Sequence, residues 1–214
     1  MKPKIALFLH QPKCSVQSVN GIIQALSPNY DFKIFTRHDL EADFFDDVDC
    51  IAVPGGIGDS ESWDYLMQEH KTRIKNFVHN GGKYLGICMG AYWAGSYYFN
   101  MLKDVDAVQY MTRPATDTRR PHAKNIAITW DGKPMNMFWY DGCALVGDES
   151  KFTTVARYAN NDPMAIIQGN IGLIGCHPES EKYWYDSYSW MRQHWHYREH
   201  HKLLLDFTNR LMQS

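Results

Sequence analysis

The sequence predicts an α/β protein, a mostly parallel sheet covered by helices on both faces and continued by an antiparallel extension. Two patterns carry this expectation. Up to about residue 90, short apolar runs of strand length alternate with stretches whose apolar residues recur at helical spacing, as in parallel strands joined by crossover helices. From Ile126 to Gly175, strand-like runs instead follow one another closely and are separated by turn dipeptides, as in hairpins.

The elements follow in order. Lys4 to Leu9 reads as a strand, and Val16, Val19, Ile22, Ile23 and Leu26 mark a helix behind a Ser15 cap. Asp31 to Thr36 and Cys50 to Val53 are the next strands. After Pro54-Gly55-Gly56, the spacing of Trp63, Leu66, Met67, Ile74, Phe77 and Val78 predicts one amphipathic helix ending at Asn80-Gly81-Gly82. From Asn100 to Lys124 the pattern dissolves. That stretch holds Arg113, Arg119, Arg120, His122 and Lys124, and reads as a solvated loop or as a rim for an anionic ligand.

Six strand-like runs come next: Ile126 to Trp130, Met135 to Tyr140, Ala144 to Val146, Phe152 to Ala156, Met164 to Gln168 and Ile171 to Gly175. Asp131-Gly132, Asp141-Gly142, Asn161-Asp162-Pro163 and Gly169-Asn170 supply the turns. Beyond Glu179 the chain is crowded with Tyr and Trp, then Leu204, Phe207 and Leu211 mark a C-terminal helix docked on the sheet. Most of these aromatics read as packing, with an active-site lid or an oligomer contact as the alternative.

Composition narrows the function classes. At 214 residues and 44% hydrophobic content the chain suffices for one sizeable core, and no polar linker divides it, so a single domain over 1–214 is expected. A net charge of −2 with interspersed signs gives no nucleic-acid or polybasic membrane footprint. The apolar run Ile5 to Leu9 is too short for a signal peptide, and no run reaches 18 apolar residues, so a cytoplasmic location is expected. Five cysteines, at 14, 50, 88, 143 and 176, with no CxxC pair argue against a disulfide framework or zinc knuckle. His196 and His200 have the i, i+4 spacing of two ligands on one helix face, but no acidic third ligand is evident. No metal and no cofactor are expected.

Three motifs carry chemistry. Gly86-Ile87-Cys88-Met89-Gly90 follows an apolar run and precedes Ala91-Tyr92-Trp93. A cysteine between glycines at a strand-to-helix junction is what a nucleophile elbow requires, although a buried structural cysteine in a Gly-rich turn has the same signature. Ile171 to Gly175 runs into Cys176-His177-Pro178-Glu179, which offers a base for the thiol and a carboxylate to orient it. Cys50 to Val53 enters Pro54-Gly55-Gly56-Ile57-Gly58, whose N–H groups would form an oxyanion hole with that of Met89. A phosphate loop competes, but no Gly-Lys-Ser/Thr follows.

Taken together, Val53-Pro54-Gly55-Gly56, Gly86-Ile87-Cys88-Met89-Gly90 and His177-Pro178-Glu179 resemble the class I glutamine amidotransferase-like superfamily. The string from Gly81 to Tyr92 looks most like the amidotransferase-like N-terminal domain of biotin-protein ligases and its stand-alone relatives. The resemblance covers residues 4–180 and leaves 181–214 as an aromatic-rich helical segment. It implies a flavodoxin-like fold and the catalytic residues Cys88, His177 and Glu179, beside which Gly55, Gly56 and Met89 are the candidate oxyanion-hole residues read from the glycine loop and the turn. It also implies a substrate contact at Tyr92, where glutamine-hydrolysing members usually carry glutamine, so a ligand other than glutamine is expected.

These features lead to a cysteine-dependent hydrolase or amidotransferase-like enzyme that cleaves an amide C–N bond through a thioester. Its substrate would be a small amide or carboxylate-bearing molecule, with a synthetase partner if ammonia is transferred, and a homo-oligomer is admissible. The alternative is a catalytically silent binding module related to the biotin-protein ligase N-terminal domain. The chaperone branch of the superfamily ranks lower, because it usually places a carboxylate at the end of the first strand, whereas Leu9-His10-Gln11-Pro12 has none.

Overall fold

A computed structural model describes residues 1–10 and 15–214. Cys14 and the Gln11-Pro12 pair lie outside the described residues. The order is β1 (Lys4–Phe8), α1 (Val16–Leu26), β2 (Asp31–Phe35), β3 (Cys50–Val53), α2 (Ser60–Leu66), α3 (Lys71–His79), β4 (Lys83–Ile87), α4 (Met89–Trp93) and β5 (Val105–Gln109). Then come β6 (Lys124–Trp130), β7 (Lys133–Trp139), β8 (Cys143–Gly147), β9 (Thr153–Tyr158), β10 (Pro163–Gln168), β11 (Ile171–Ile174), α5 (Lys182–Asp186) and α6 (Glu199–Gln213).

Among the described residues nine strands form one sheet, in the order β2-β1-β3-β4-β11-β10-β9-β6-β7. Pairings from β2 through β11 are parallel and those from β11 through β7 antiparallel. The period-2 alternation of a strand divides its side chains between two cores. Ile5 and Leu7 of β1 join Val19, Ile22 and Leu26 of α1 and Leu204, Phe207 and Leu211 of α6 on one face. Ala6 and Phe8 join Trp63, Leu66, Ile74 and Val78 of α2 and α3 on the other. Ser15 caps α1 by accepting from the Ser18 N–H at 3.2 Å.

Three expectations need correction. The helix expected from Trp63 to Val78 is two, because Met67 (φ −134°, ψ −19°) leaves helical geometry and Gln68–His70 form a 3-10 turn. The loop expected over 100–124 contains β5, a five-residue strand whose Val-Asp-Ala-Val-Gln pattern does not alternate strictly. Its partner β8 is therefore not a hairpin strand of the main sheet but pairs antiparallel with β5 in a second, two-stranded sheet. The Asp131-Gly132 turn does close a hairpin between β6 and β7, with φ of 47° and 75° as a type I′ turn demands.

α6 seats on β11 at Gly172, where an added Cβ would lie 2.8 Å from the Phe207 ring and 2.9 Å from Leu211 Cδ2. No helix among the described residues is long and apolar enough to cross a membrane.

Candidate active site

In an open α/β sheet, ligands gather beyond the carboxyl ends of the parallel strands. Here β3 ends at Pro54-Gly55-Gly56, β4 at Cys88 and β11 just before His177, and β3, β4 and β11 are adjacent. The three motifs thus meet at the carboxyl ends of three adjacent interior strands.

Cys88 alone makes the turn from β4 to α4, at φ 51° and ψ −102°. A residue with a Cβ holds such a conformation only when its surroundings impose it. They do: its N–H donates to Ile174 O at 2.9 Å, and its carbonyl accepts from the N–H groups of Ala91 and Tyr92 at 3.0 Å. The flanking glycines permit this packing, since a Cβ on Gly90 would lie 2.1 Å from Val53 O and one on Gly86 2.4 Å from Gly90 O. α4 is five residues long, so what it brings to the thiol is the unpaired N–H groups of a first turn, not a long aligned dipole. The thiol donates to Tyr140 O at 3.5 Å.

His177 is fixed from several sides. Its N–H donates to Phe138 O at 2.8 Å, and its Nδ1 lies 2.8 Å from Glu179 Oε1, leaving Nε2 as the ring nitrogen for Cys88. Burial alone lowers the imidazole pKa, but the charge of Glu179, the neighbouring Cys88 and hydrogen bonds to both outweigh it and raise the pKa to about 10. Glu179 is fully buried. Ser18, on the buried face of α1, donates to the same Oε1 at 2.7 Å and accepts from Gly55 N–H at 3.0 Å. Sequence reasoning missed Ser18, because a serine within an amphipathic helix carries no motif; its place one turn after the Ser15 cap was the only available signal.

A cavity of about 380 Å³ opens over this set, lined by Cys88, His177, Gly55, Gly56, Phe138, Tyr140, Trp184 and Tyr188 among others. A larger, more open groove lies at the amino ends of β3 and β4, beside Asp49 and Gly82, away from these motifs.

Two expected site residues are placed differently. Gly55 N–H is committed to Ser18, so Gly55 is not a free oxyanion donor; its place against the imidazole, where a Cβ would lie 2.7 Å from Cε1, is what requires glycine. Gly56 lines the cavity, and Met89 opens α4 with an N–H that has no carbonyl within the helix to bond. Tyr92 is not among the cavity-lining residues. Its hydroxyl donates to Asp141 O at 3.0 Å, and burial pushes its pKa far up. It thereby supports the turn that carries Tyr140.

None of the basic residues of 113–124 is among the cavity-lining residues. Arg113 pairs with Asp162 at 2.7 Å, Arg119 bonds the carbonyls of Met111 and Arg113, and Lys124 bonds Thr118 and Arg120. His196 and His200 do not share a helix face, because α6 begins only at Glu199. Their rings stack at 4.0 Å, and among the described residues no group of three or more His, Cys, Asp or Glu is arranged to hold a metal. Of the tail aromatics, Tyr185 is core as expected, while Trp184 and Tyr188 form cavity wall.

Comparison with solved structures bears on the fold. A chain of PurLQS from Thermotoga maritima superposes with a TM-score of 0.67 at 15% identity, over 99% of this chain and 100% of that one. A glutamine amidotransferase from Thermotoga maritima gives 0.67 at 12% identity, over 100% of both chains. A putative GMP synthase subunit from Thermoplasma acidophilum gives 0.64 at 14% identity, over 100% of this chain and 96% of that one. The fold is class I glutamine amidotransferase-like. Within that amidotransferase-like fold, residues 10–108 match the family described as biotin-protein ligase, N terminal. No curated protein sequence matches the chain.

Proposed function

We propose that the protein is a cysteine-dependent hydrolase or amidotransferase-like enzyme acting on an amide C–N bond through a thioester on Cys88. One observation carries the reading: Cys88 is held at a left-handed φ of 51° on the floor of a cavity, beside an imidazole whose far nitrogen is 2.8 Å from a fully buried carboxylate. A strained nucleophile beside an oriented base is an arrangement that packing alone does not call for.

In the proposed reaction Cys88 Sγ attacks the amide carbonyl carbon after passing its proton to His177. The N–H groups of Met89 and Gly56 steady the oxyanion, and the imidazolium, oriented by Glu179, protonates the leaving nitrogen as the C–N bond breaks. Water then cleaves the thioester, releasing the acid and the thiol. If the released ammonia is transferred, an acceptor-activating synthetase partner is required. The likeness to chains named for PurLQS and for a GMP synthase supports such an arrangement.

The test is acylation of the intact protein by p-nitrophenyl acetate, followed by peptide mass spectrometry. The expected result is one acetyl group, on Cys88, absent from Cys88→Ala and slowed in His177→Ala. Label distributed over other residues, or equal label in Cys88→Ala, overturns the reading.

A further inference from the structure

The walls of the cavity differ from what a free amino acid amide requires. Four aromatic rings, Phe138, Tyr140, Trp184 and Tyr188, stand around Cys88 and His177. Phe138 and Trp184 meet edge to face at 5.2 Å, and both pack on the imidazole of His177, at 5.9 and 5.4 Å. They therefore border the reacting centre itself. Both belong to a small core with Tyr185 and Met191, which fixes their orientation.

Among the described residues the lining contains no Arg, Lys, Asp or Glu. Apart from His177 and the Cys88 thiol, its polar side chains are neutral donors and acceptors, from Ser15, Gln17, Ser187 and two phenols. The charge on His177 is balanced by Glu179 directly behind it. Among the described residues, an α-ammonium or α-carboxylate entering this cavity would lose hydration and meet no counter-charge outside the His177–Glu179 pair, which is a heavy penalty. A planar uncharged ring loses little and gains ring contacts on several sides.

We infer that the acyl group taken by this site is an uncharged planar ring, of benzoyl or heteroaromatic type, and not the zwitterionic γ-glutamyl group. The inference rests on the proposed role of Cys88. The step is the one given above: the S–C bond forms at the ring-bearing carbonyl, the C–N bond breaks with the His177 proton going to nitrogen, and water returns the aromatic acid and the thiol. The cavity, at about 380 Å³, falls within the range of small-molecule sites and has room for a substituted single ring.

The experiment compares the rates at which p-nitrophenyl benzoate and p-nitrophenyl acetate acylate Cys88, each divided by its rate with free cysteine, alongside hydrolysis of benzoyl and γ-glutamyl p-nitroanilides. A benzoyl-to-acetyl ratio of about tenfold or more is expected, with γ-glutamyl p-nitroanilide the poorer anilide. Trp184→Ala should lower the ratio. Because Trp184 also packs on His177, Tyr188→Ser at the partly exposed rim is the second variant and should lower it as well. A ratio near one, or preference for the γ-glutamyl anilide, with Cys88 still acylated, overturns the substrate class and leaves the nucleophile reading standing. Failure of both esters to acylate Cys88 overturns the nucleophile reading and this inference with it.

Discussion

Ser18 Oγ donates a 2.7 Å hydrogen bond to Glu179 Oε1, joining the first helix to the carboxylate that orients His177 across 161 positions of the chain. The same hydroxyl accepts the Gly55 N–H, so one side chain locks the glycine loop and the His-Pro-Glu turn together. Among the described residues Glu179 Oε2 has no hydrogen-bond partner, which leaves Oε1 to hold both Ser18 and His177.

Ser18→Ala therefore strands a buried N–H and frees the carboxylate to rotate. A stability loss of about 1–3 kcal/mol is expected, together with slower acylation of Cys88, and Ser18→Thr should recover part of both. Chemical denaturation and acylation kinetics on the three proteins check this. Unchanged acylation in Ser18→Ala would show that the carboxylate holds its place unaided.

Cys88 inverts an ordinary rule. Glycine usually destabilises a fold relative to alanine, but at φ 51° the Cβ of alanine is itself the strained group. Cys88→Gly should thus be more stable than Cys88→Ala by about 1 kcal/mol, with both inactive. Melting temperatures of the pair decide it, and a less stable glycine variant contradicts the strain.

The raised pKa of His177 sets a pH window. Its folded value, about 10, lies above the ordinary 6.5, so the folded state binds the proton more tightly and the contribution to stability is full below 6.5. That contribution is lost as pH rises through about 10. In Glu179→Gln the carboxylate charge is gone, so the alkaline loss should shrink and the imidazole should titrate lower. NMR titration of the ring in both proteins measures the difference, and identical curves would mean that Glu179 does not govern the ring.

A second window lies at acid pH. Burial first, then the neighbouring histidines, lower His196 to about 3 and His200 to about 4. Here the unfolded chain binds protons more readily, so stability is full above 6.5 and falls as pH drops towards these values. Replacing His200 by Phe, which keeps the stacked ring without its charge, should flatten the acid limb of a stability-against-pH curve. An unaltered acid limb would place the acid sensitivity elsewhere.

Tyr92 reaches the Asp141 carbonyl and not the cavity. Wild type should accordingly release little glutamate from glutamine, and Tyr92→Gln should gain none while losing about 1 kcal/mol of stability. Glutamate assays on both proteins test this; a gain in Tyr92→Gln would bring residue 92 back to the ligand.

Much of the fold was legible because parallel strands buried on both faces advertise themselves. Ile5 to Phe8, Cys50 to Val53 and Ile171 to Ile174 are continuous apolar runs, and Asp131-Gly132 allows little but a tight hairpin. The strand-to-helix turn at Cys88 was legible too, since Gly86 and Gly90 sit where any side chain would meet backbone. What escaped detection depends on distant partners. β5 exists as a strand through its pairing with β8, and the break at Met67 interrupts a stretch whose apolar spacing continues unbroken. The use of Gly55 N–H by Ser18, and of the Tyr92 hydroxyl by Asp141, joins residues 37 and 49 positions apart, which no local pattern encodes.

The seating of Phe207 and Leu211 at the Gly172 notch has a mechanical consequence. The span bearing Trp184 and Tyr188 leaves from the end of β11 and returns, through α6, to the same strand, so it is a strap buckled at both ends to one rigid beam. The entropy of closing that strap is spent when the chain folds. A ligand arriving over Cys88 therefore meets a wall already in place and has little disorder to quench on binding.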